Sequence, residues 1–321
     1  MTPPAARPGP LRRLRHALGA PGGQGAVVVT LLAIVVITAI GNPRFLGIQN
    51  ILNVLLQISI LGIVSVGQTV LLISAGLDLS VGAMLSVSAL AGGLVIHATG
   101  STLLGVGVAL ATALLIGTVN GLLAATGRAH PFIITLGMMT LLQGVAIVIS
   151  RGSPINGMGK LYDVFGIANL LGVPTPVYLL ALALGSVALI LRFAPLGRYA
   201  FAVGGNEEAA RLSGLPIFRI KVALYALNGL LVGVAAIALS GILDSALPAM
   251  GTGYELRAVA AAVIGGTPLF GGRGSVWGTL FGVLLLGLVS NSINLLGIGA
   301  NLQYVVLGAI ITAAVMFQRS S

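Results

Sequence analysis

Six carboxylates are the side chains of this sequence best suited to do chemistry, because acids are rare in it. The 321 residues include 6 Asp or Glu, 16 Lys or Arg and 3 His, and no Cys. The acids are Asp78, Asp163, Glu207, Glu208, Asp244 and Glu255. Paired catalytic carboxylates, a nucleophile with its base, or a metal cluster would need a grouping of such residues that the sequence does not contain. We therefore expect no catalytic site and no metal site, and we predict that the chain is not an enzyme.

The composition indicates where these few acids must lie. Charged residues make up 7% of the chain and hydrophobic residues 57%, whereas a soluble globular chain carries about 25% charged residues. A soluble enzyme, a disordered protein and a nucleic-acid-binding protein are therefore excluded. The 47 glycines suit helices that pack closely in a bilayer. The predicted fold class is all-α, a polytopic membrane protein.

Apolar runs of the length that a bilayer requires, roughly 20 residues, predict about ten membrane-spanning helices. The expected positions are residues 25–41, 51–74, 80–99, 102–126, 131–150, 176–194, 220–243, 254–268, 275–296 and 300–317. The eighth run is short and ends in glycines and a proline, as in a helix broken inside the protein. We predict a disordered cytoplasmic tail over residues 1–24 and a single transmembrane domain over residues 25–321.

The basic residues predict the orientation of these spans. With the N-terminus inside and ten spans, 12 of the 16 basic residues fall on the cytoplasmic side, 3 fall outside, and Arg257 lies within the eighth span. This bias is what the positive-inside rule requires, with both termini cytoplasmic. The net charge of +10 is thus explained by topology, and we expect the lipid bilayer and no nucleic acid as a partner.

The longest cytoplasmic loop, residues 195–220, contains a short helix with clear start and stop signals. Asn206 is a suitable N-cap, and negative charge follows it at the positive end of the helix. Arg211 lies near the negative end, and Gly214 suits a left-handed stop. One interpretation is a solvated surface helix, and the other is a contact element for a cytosolic partner. The residues concerned are Gly205, Asn206, Glu207, Glu208, Ala209, Arg211 and Gly214.

Two further acids lie at predicted span boundaries. Asp78, between glycines 76 and 82, fits a cap at the start of the third span, and a proton or cation relay is the alternative. Glu255 lies in the first turn of the short eighth span, near Arg257, and is either a pathway residue or part of a structural pair.

Amide side chains form polar edges on two spans. At 100° per residue, Asn53, Gln57 and Gln68 share one face of the second span. Asn291 and Asn294 form a second edge on the ninth span. In lipid such amides must face protein or water, so they either hydrogen-bond between helices or line a path for a hydroxyl-rich solute.

The chain lacks the phosphate-binding loop that would hold ATP. That motif ends in Gly-Lys followed by Ser or Thr, and neither lysine, Lys160 or Lys221, has this setting. If transport by this chain is powered by ATP, another subunit must bind the nucleotide.

Several stretches together resemble the permease subunits of ribose-type sugar ABC importers, in the branched-chain amino acid and sugar permease superfamily. The likeness covers roughly residues 40 to 317. The matching stretches are residues 76–82, 120–122, 131–137, 197–199, 204–214, 253–256, 265–267 and 271–274. The family often has an acid after Glu-Leu, whereas here Arg257 follows Leu256.

The resemblance implies a ten-span subunit of the bacterial cytoplasmic membrane that pairs with a second permease copy. It implies a cytosolic ATPase that holds ATP and Mg, and a periplasmic or lipid-anchored solute-binding protein. The stretch Asn206 to Gly214 would then be the coupling element. The expected function is import of a ribose-like monosaccharide. The alternatives are a branched-chain amino acid, a nucleoside or a furanose signalling molecule as solute, or an ion-coupled secondary transporter using Asp78 or Glu255.

Overall fold

A computed structural model describes residues 24–297 together with residues 302, 305, 306, 308, 309 and 312. The described chain is a bundle of helices with a few very short strands. The helices are α1 (Gln24–Gly41), α2 (Ile48–Ile73), α3 (Val81–Thr99), α4 (Thr102–Ala125), α5 (Pro131–Ser150), α6 (Lys160–Gly166), α7 (Thr175–Phe193), α8 (Pro195–Gly205), α9 (Glu207–Leu212), α10 (Ile217–Leu243), α11 (Tyr254–Ile264) and α12 (Val276–Leu295). A 3₁₀ helix (Pro43–Leu46) precedes α2, and strands β1 (Ile155–Asn156) and β4 (Ser245–Ala246) pair antiparallel, as do β2 (Asn169–Leu170) and β3 (Val173–Pro174).

The predicted class of a helical, multi-pass membrane protein is confirmed. Seven of the described helices are long and apolar enough to cross a membrane, namely α2, α3, α4, α5, α7, α10 and α12. The apolar part of α1 is shorter, at Val27–Gly41, and α11 has 11 residues. The predicted span 300–317 and the predicted tail 1–24 fall largely outside the described residues. The total of ten spans therefore stays a prediction.

Local signals explain where several helices begin and end. The Ser101 hydroxyl accepts a hydrogen bond from the Leu104 N–H at the start of α4, and Gly100 ends α3 in the left-handed conformation, as caps require. Pro131 opens α5 at the first helical position, where its missing N–H costs nothing. The connection from α3 to α4 is accordingly only residues 100–101, and that from α4 to α5 is residues 126–130.

Helix α2 is the centre of the bundle, and α4, α5 and α7 lie at its periphery. Residues 58–73 of α2 are buried, whereas α5 leaves Leu141, Ile147 and Val148 exposed. Exposed apolar faces of this size require an apolar surrounding. The peripheral helices therefore present the surface that lipid or another membrane subunit would cover.

Helices α4 and α10 approach one another through glycines. A Cβ placed on Gly117 would lie 2.6 Å from the carbonyl oxygen of Tyr225 and 2.8 Å from the Cα of Gly229. One turn later, a Cβ on Gly121 would lie 2.9 Å from the Cβ of Tyr225. Only small residues permit this backbone contact, so α4 fixes the position of α10.

This contact predicts the effect of adding one methyl group. We expect Gly117→Ala to destabilise the folded chain by about 2 kcal/mol, because overpacking against backbone leaves no flexible neighbour to move. The matched control is Gly144→Ala in α5, where a Cβ would meet nothing within 4 Å. Thermal unfolding of the detergent-purified chains measures the difference. Equal stability of the two variants would contradict the close contact.

The segment after α10 returns into the bundle before α11 begins. Gly251 and the Glu255 carboxylate both abut Gly82 at the start of α3. Gly265 abuts Gly278, and Ala261 abuts Gly282, so α11 runs antiparallel to α12. The first turn of α11 consequently packs against the start of α3.

Candidate functional site

The first candidate site is a buried polar cluster around Asp78, in the connector between α2 and α3. Asp78 is fully buried. Its Oδ1 accepts hydrogen bonds from the Ser80 N–H at 2.9 Å and from the Ser80 hydroxyl at 2.7 Å. Its Oδ2 accepts from the side-chain amides of Asn120 at 3.1 Å and Asn228 at 3.2 Å. One carboxylate thus joins the start of α3 to α4 and α10.

Gln68 and Tyr225 hold the backbone of the same connector. The Gln68 amide donates to the carbonyl oxygen of Asp78, and the Tyr225 hydroxyl donates to the carbonyl oxygen of Leu77 at 2.9 Å. The Leu77 N–H lies 3.3 Å from the Tyr225 oxygen, which accepts from it. The connector is therefore fixed by α2 on one side and by α10 on the other.

Opposing effects act on the protonation of Asp78. Burial raises the pKa of its carboxyl group above the ordinary value, while the hydrogen bonds from Ser80, Asn120 and Asn228 act in the lowering direction. The carboxylate oxygens accept four hydrogen bonds, from one backbone N–H, one hydroxyl and two side-chain amides. Ser80 is the N-cap residue of α3, and no side chain caps an N–H inside that helix. Asp78 instead binds the N–H of Ser80 and links the start of α3 to α4 and α10.

Asn120 and Asn228 belong to the cluster although neither was predicted as a site residue from the sequence. Each is followed directly by a glycine of the α4–α10 contact, Gly121 or Gly229. In each pair the glycine allows α4 and α10 to approach closely, and the preceding asparagine places its amide between the helices, where it binds Asp78. Two Asn-Gly pairs inside apolar runs were the available signal, because an intramembrane amide needs a polar partner.

The second candidate site is the exposed helix α9. The Asn206 side chain accepts a hydrogen bond from the Ala209 N–H at 2.9 Å, and Gly214 follows with a φ of +80°. The predicted helix, cap and stop are therefore present. Glu208 and Leu212 are exposed, and only Ala210 is buried. The helix therefore presents charged and apolar side chains at the surface.

Ion pairs hold α9 in place. The Glu207 carboxylate lies 3.1 Å from Arg211 Nη2 within the helix and 2.8 Å from Lys221 Nζ in the first turns of α10. Arg211 also lies 3.8 Å from Glu208. The Lys221 side chain is 14% exposed and the Arg211 side chain 61%. Because shielding from water strengthens an ion pair, the Glu207–Lys221 pair is the firmer attachment.

Helix α10 connects the two candidate sites. Lys221, Tyr225 and Asn228 are spaced four and three residues apart, which places them on one face of the helix. Lys221 contacts α9, and the other two contact the connector that contains Asp78. A displacement of α9 would therefore act on the buried cluster through a single rigid helix.

Backbone packing adds a second connection between the same regions. Gly204, in the last turn of α8, abuts the carbonyl oxygen of Ile73 at the end of α2. The same carbonyl accepts a hydrogen bond from the Gly272 N–H at 2.9 Å. The element that leads into α9 is thus packed directly on the end of the central helix.

The other predicted site residues occupy separate environments. Both oxygens of Glu255 accept from the Gly253 N–H at 3.1 Å. Asn291 exchanges hydrogen bonds with Asn50 at 2.9 and 3.1 Å, which links α12 to α2. Asn53 and Asn294 are exposed, and Gln57 borders a cavity. The amide edge of α2 is therefore one helix face with several different neighbours, and only Gln68 reaches Asp78.

Comparison with known proteins gives a consistent result. The model of the family described as branched-chain amino acid transport system / permease component matches residues 50–315. The chain is 42% identical to the ribose import permease protein RbsC of Escherichia coli (strain K12), over 90% of this chain and 91% of that protein. It is 42% identical to the ribose import permease protein RbsC of Bacillus subtilis (strain 168), covering 90% of each chain. The chain is 36% identical to the L-arabinose transport system permease protein AraH of Escherichia coli (strain K12), over 92% of this chain and 90% of that protein.

Proposed function

The chain belongs to the family of branched-chain amino acid transport system permease components, and on this premise we propose that it is the membrane permease of a sugar ABC importer. The solute is a monosaccharide or a close relative of one. Similarity over nine-tenths of the chain to permeases named for ribose and arabinose supports this solute class. A separate cytosolic ATPase, which binds ATP and Mg, powers the transport, and a solute-binding protein delivers the sugar.

The observation that carries the proposal is the exposed, capped and ion-paired helix α9. The ATPase docks on Asn206 to Gly214, with Glu207, Glu208 and Arg211 offering charge, while Gly205, Ala209 and Gly214 shape the helix ends. Nucleotide-driven movement of the ATPase displaces α9, and α10 carries the displacement to Asp78. This gives ATP hydrolysis a physical route to the core of the bundle.

The proposed setting is the bacterial cytoplasmic membrane, with ten spans and both termini in the cytoplasm. The described helices support this orientation, since the basic residues at 128, 192, 198, 211 and 273 adjoin helix ends on the α9 side of the bundle. Those at 44, 151 and 160 adjoin helix ends on the other side. The exposed apolar faces supply surface for lipid and for a second permease copy.

The energy source tests the proposal against the ion-coupled alternative. Proteoliposomes containing the permease, its ATPase and its binding protein should accumulate radiolabelled ribose or arabinose only with internal ATP. The initial rate of uptake in the presence of a protonophore should stay within about twofold of the rate without it. Uptake that is abolished by the protonophore while ATP remains would overturn the assignment. The burial of Asp78 among four donors favours the ATP-driven result.

A further inference from the structure

A cavity of about 240 Å³ lies beside Arg257, between α2, α10, α11 and α12, and is partly open to the surface. At about 30 Å³ per water, this is room for about eight water molecules or one small solute. Its polar lining consists of Gln57, Tyr254, Arg257 and Ser290, and the rest is leucine, isoleucine and a glycine.

The cavity lies beside the middle of α2 and the last turn of α10. Gln57 is in the 26-residue helix α2, about 14 Å from its first residue and about 24 Å from its last at 1.5 Å per residue. Arg257 lies in the first turns of α11 and is half-buried. One basic side chain therefore borders the cavity at mid-height of the central helix.

The charge of Arg257 is not neutralised by the described part of the chain. All six carboxylates of the sequence are among the described residues, and each ion pair there involves Glu207 or Glu208. The nearest acid in sequence, Glu255, directs both oxygens to the Gly253 N–H. Arginine does not lose its proton in proteins, and a cation in an apolar region is costly without a counter-charge. Arg257 is half-buried, so a ligand carboxylate in the cavity would meet a cation that has no ion-pair partner among the described residues.

We propose that this cavity is a solute site and that Arg257 selects a sugar bearing a carboxylate, such as an aldonate. A guanidinium group binds a carboxylate through two parallel hydrogen bonds. The amide of Gln57 and the hydroxyls of Tyr254 and Ser290 offer partners for sugar hydroxyls. A neutral sugar would satisfy the hydroxyl partners but leave the cation unpaired. The inference rests on the function proposed above and narrows its substrate class.

The test compares ribonate with ribose on the full-length chain in nanodiscs of uncharged lipid. Thermal unfolding is followed against solute concentration, because a ligand that binds only the folded state stabilises it by RT ln(1 + L/Kd), where L is the free ligand concentration, and so raises Tm as that concentration rises above Kd. We expect ribonate to give the same rise in Tm at a concentration at least about tenfold below that of ribose. Arg257→Gln should remove this preference, and Arg257→Lys should retain part of it. The control Arg128→Gln, in an exposed loop, should keep it fully.

Several results would overturn the inference. They are equal shifts with both solutes, no shift with either, an equal effect of sodium sulfate, or a preference that survives Arg257→Gln. The comparison of the two solutes on the unsubstituted chain stands even if that variant fails to fold. ATP-driven ribose uptake together with equal shifts would remove only the carboxylate preference. Absence of ATP-driven uptake of both ribose and ribonate, with the preference intact, would instead remove the ABC assignment.

Discussion

Asp78→Ala is expected to destabilise the folded chain by about 3–5 kcal/mol, the range for breaking a buried charged contact. The carboxylate is the shared acceptor for donors on three elements, Ser80, Asn120 and Asn228. Without it, the buried Asn228 amide loses its acceptor, while Asn120 keeps only the Ser80 hydroxyl oxygen at 2.8 Å, and an unsatisfied buried group carries its own cost. The measurement is thermal unfolding in detergent together with the yield of inserted protein.

Two variants make this expectation specific. Asp163→Ala in α6 removes an acid with no side-chain bond among the described contacts and should change stability by less than about 1 kcal/mol. Asp78→Asn keeps the shape of the side chain but places an NH2 donor against the donors of the cluster. We therefore expect it to be nearly as unstable as Asp78→Ala. Wild-type stability in Asp78→Ala would show that the cluster does not hold the three helices together.

Lys221→Met is expected to lower the amount of solute transported per ATP by about tenfold, which corresponds to the loss of about 1.4 kcal/mol. The pair with Glu207 is short, at 2.8 Å, and its lysine is largely shielded from water. Without it, α9 keeps its cap and its internal ion pair but loses its side-chain attachment to α10. ATP hydrolysis should continue, but a smaller fraction of hydrolysis events should displace α10 and the helices around Asp78.

The ratio of transport to hydrolysis separates this role from a general loss of stability, because an unfolded permease lowers both rates together. Lys221→Arg retains the charge and should recover most of the ratio. Arg219→Met, two residues away at an exposed position, should leave the ratio unchanged. A normal ratio of transport to hydrolysis in Lys221→Met would contradict the expectation that the Glu207–Lys221 pair transmits the displacement of α9 to α10.

The helices were predictable where apolar length and caps determine them. The fifth span, at Pro131–Ser150, has the predicted bounds, because proline begins it and no charged residue interrupts it. The short helix after Asn206 was predictable for the same reason, since cap, charge and stop lie within nine residues. The family itself is shown by the match of its model over residues 50–315.

The partners of Asp78 were not predictable from local pattern. Asn120 and Asn228 are 42 and 150 residues away in sequence, and the distances depend on how α4 and α10 pack. The same holds for α6 and for the pairing of Ile155 with Ala246, where short segments outside the spans are ordered by tertiary contact. Lys221 was noted only for lacking a phosphate-binding motif, since its contact with Glu207 requires α9 to fold back on α10.

The most direct test of the central claim, that α9 receives the ATPase, is reversal of its exposed acidic charge. Glu207→Arg combined with Glu208→Arg should insert normally but lose at least about tenfold of ATP-dependent uptake, because like charges would face the docking surface and Lys221. Asp163→Arg, in α6 on the opposite side of the bundle, is the matched control and should transport normally. Loss of uptake in the double variant alone is the predicted result. Normal uptake by the double variant would contradict the account.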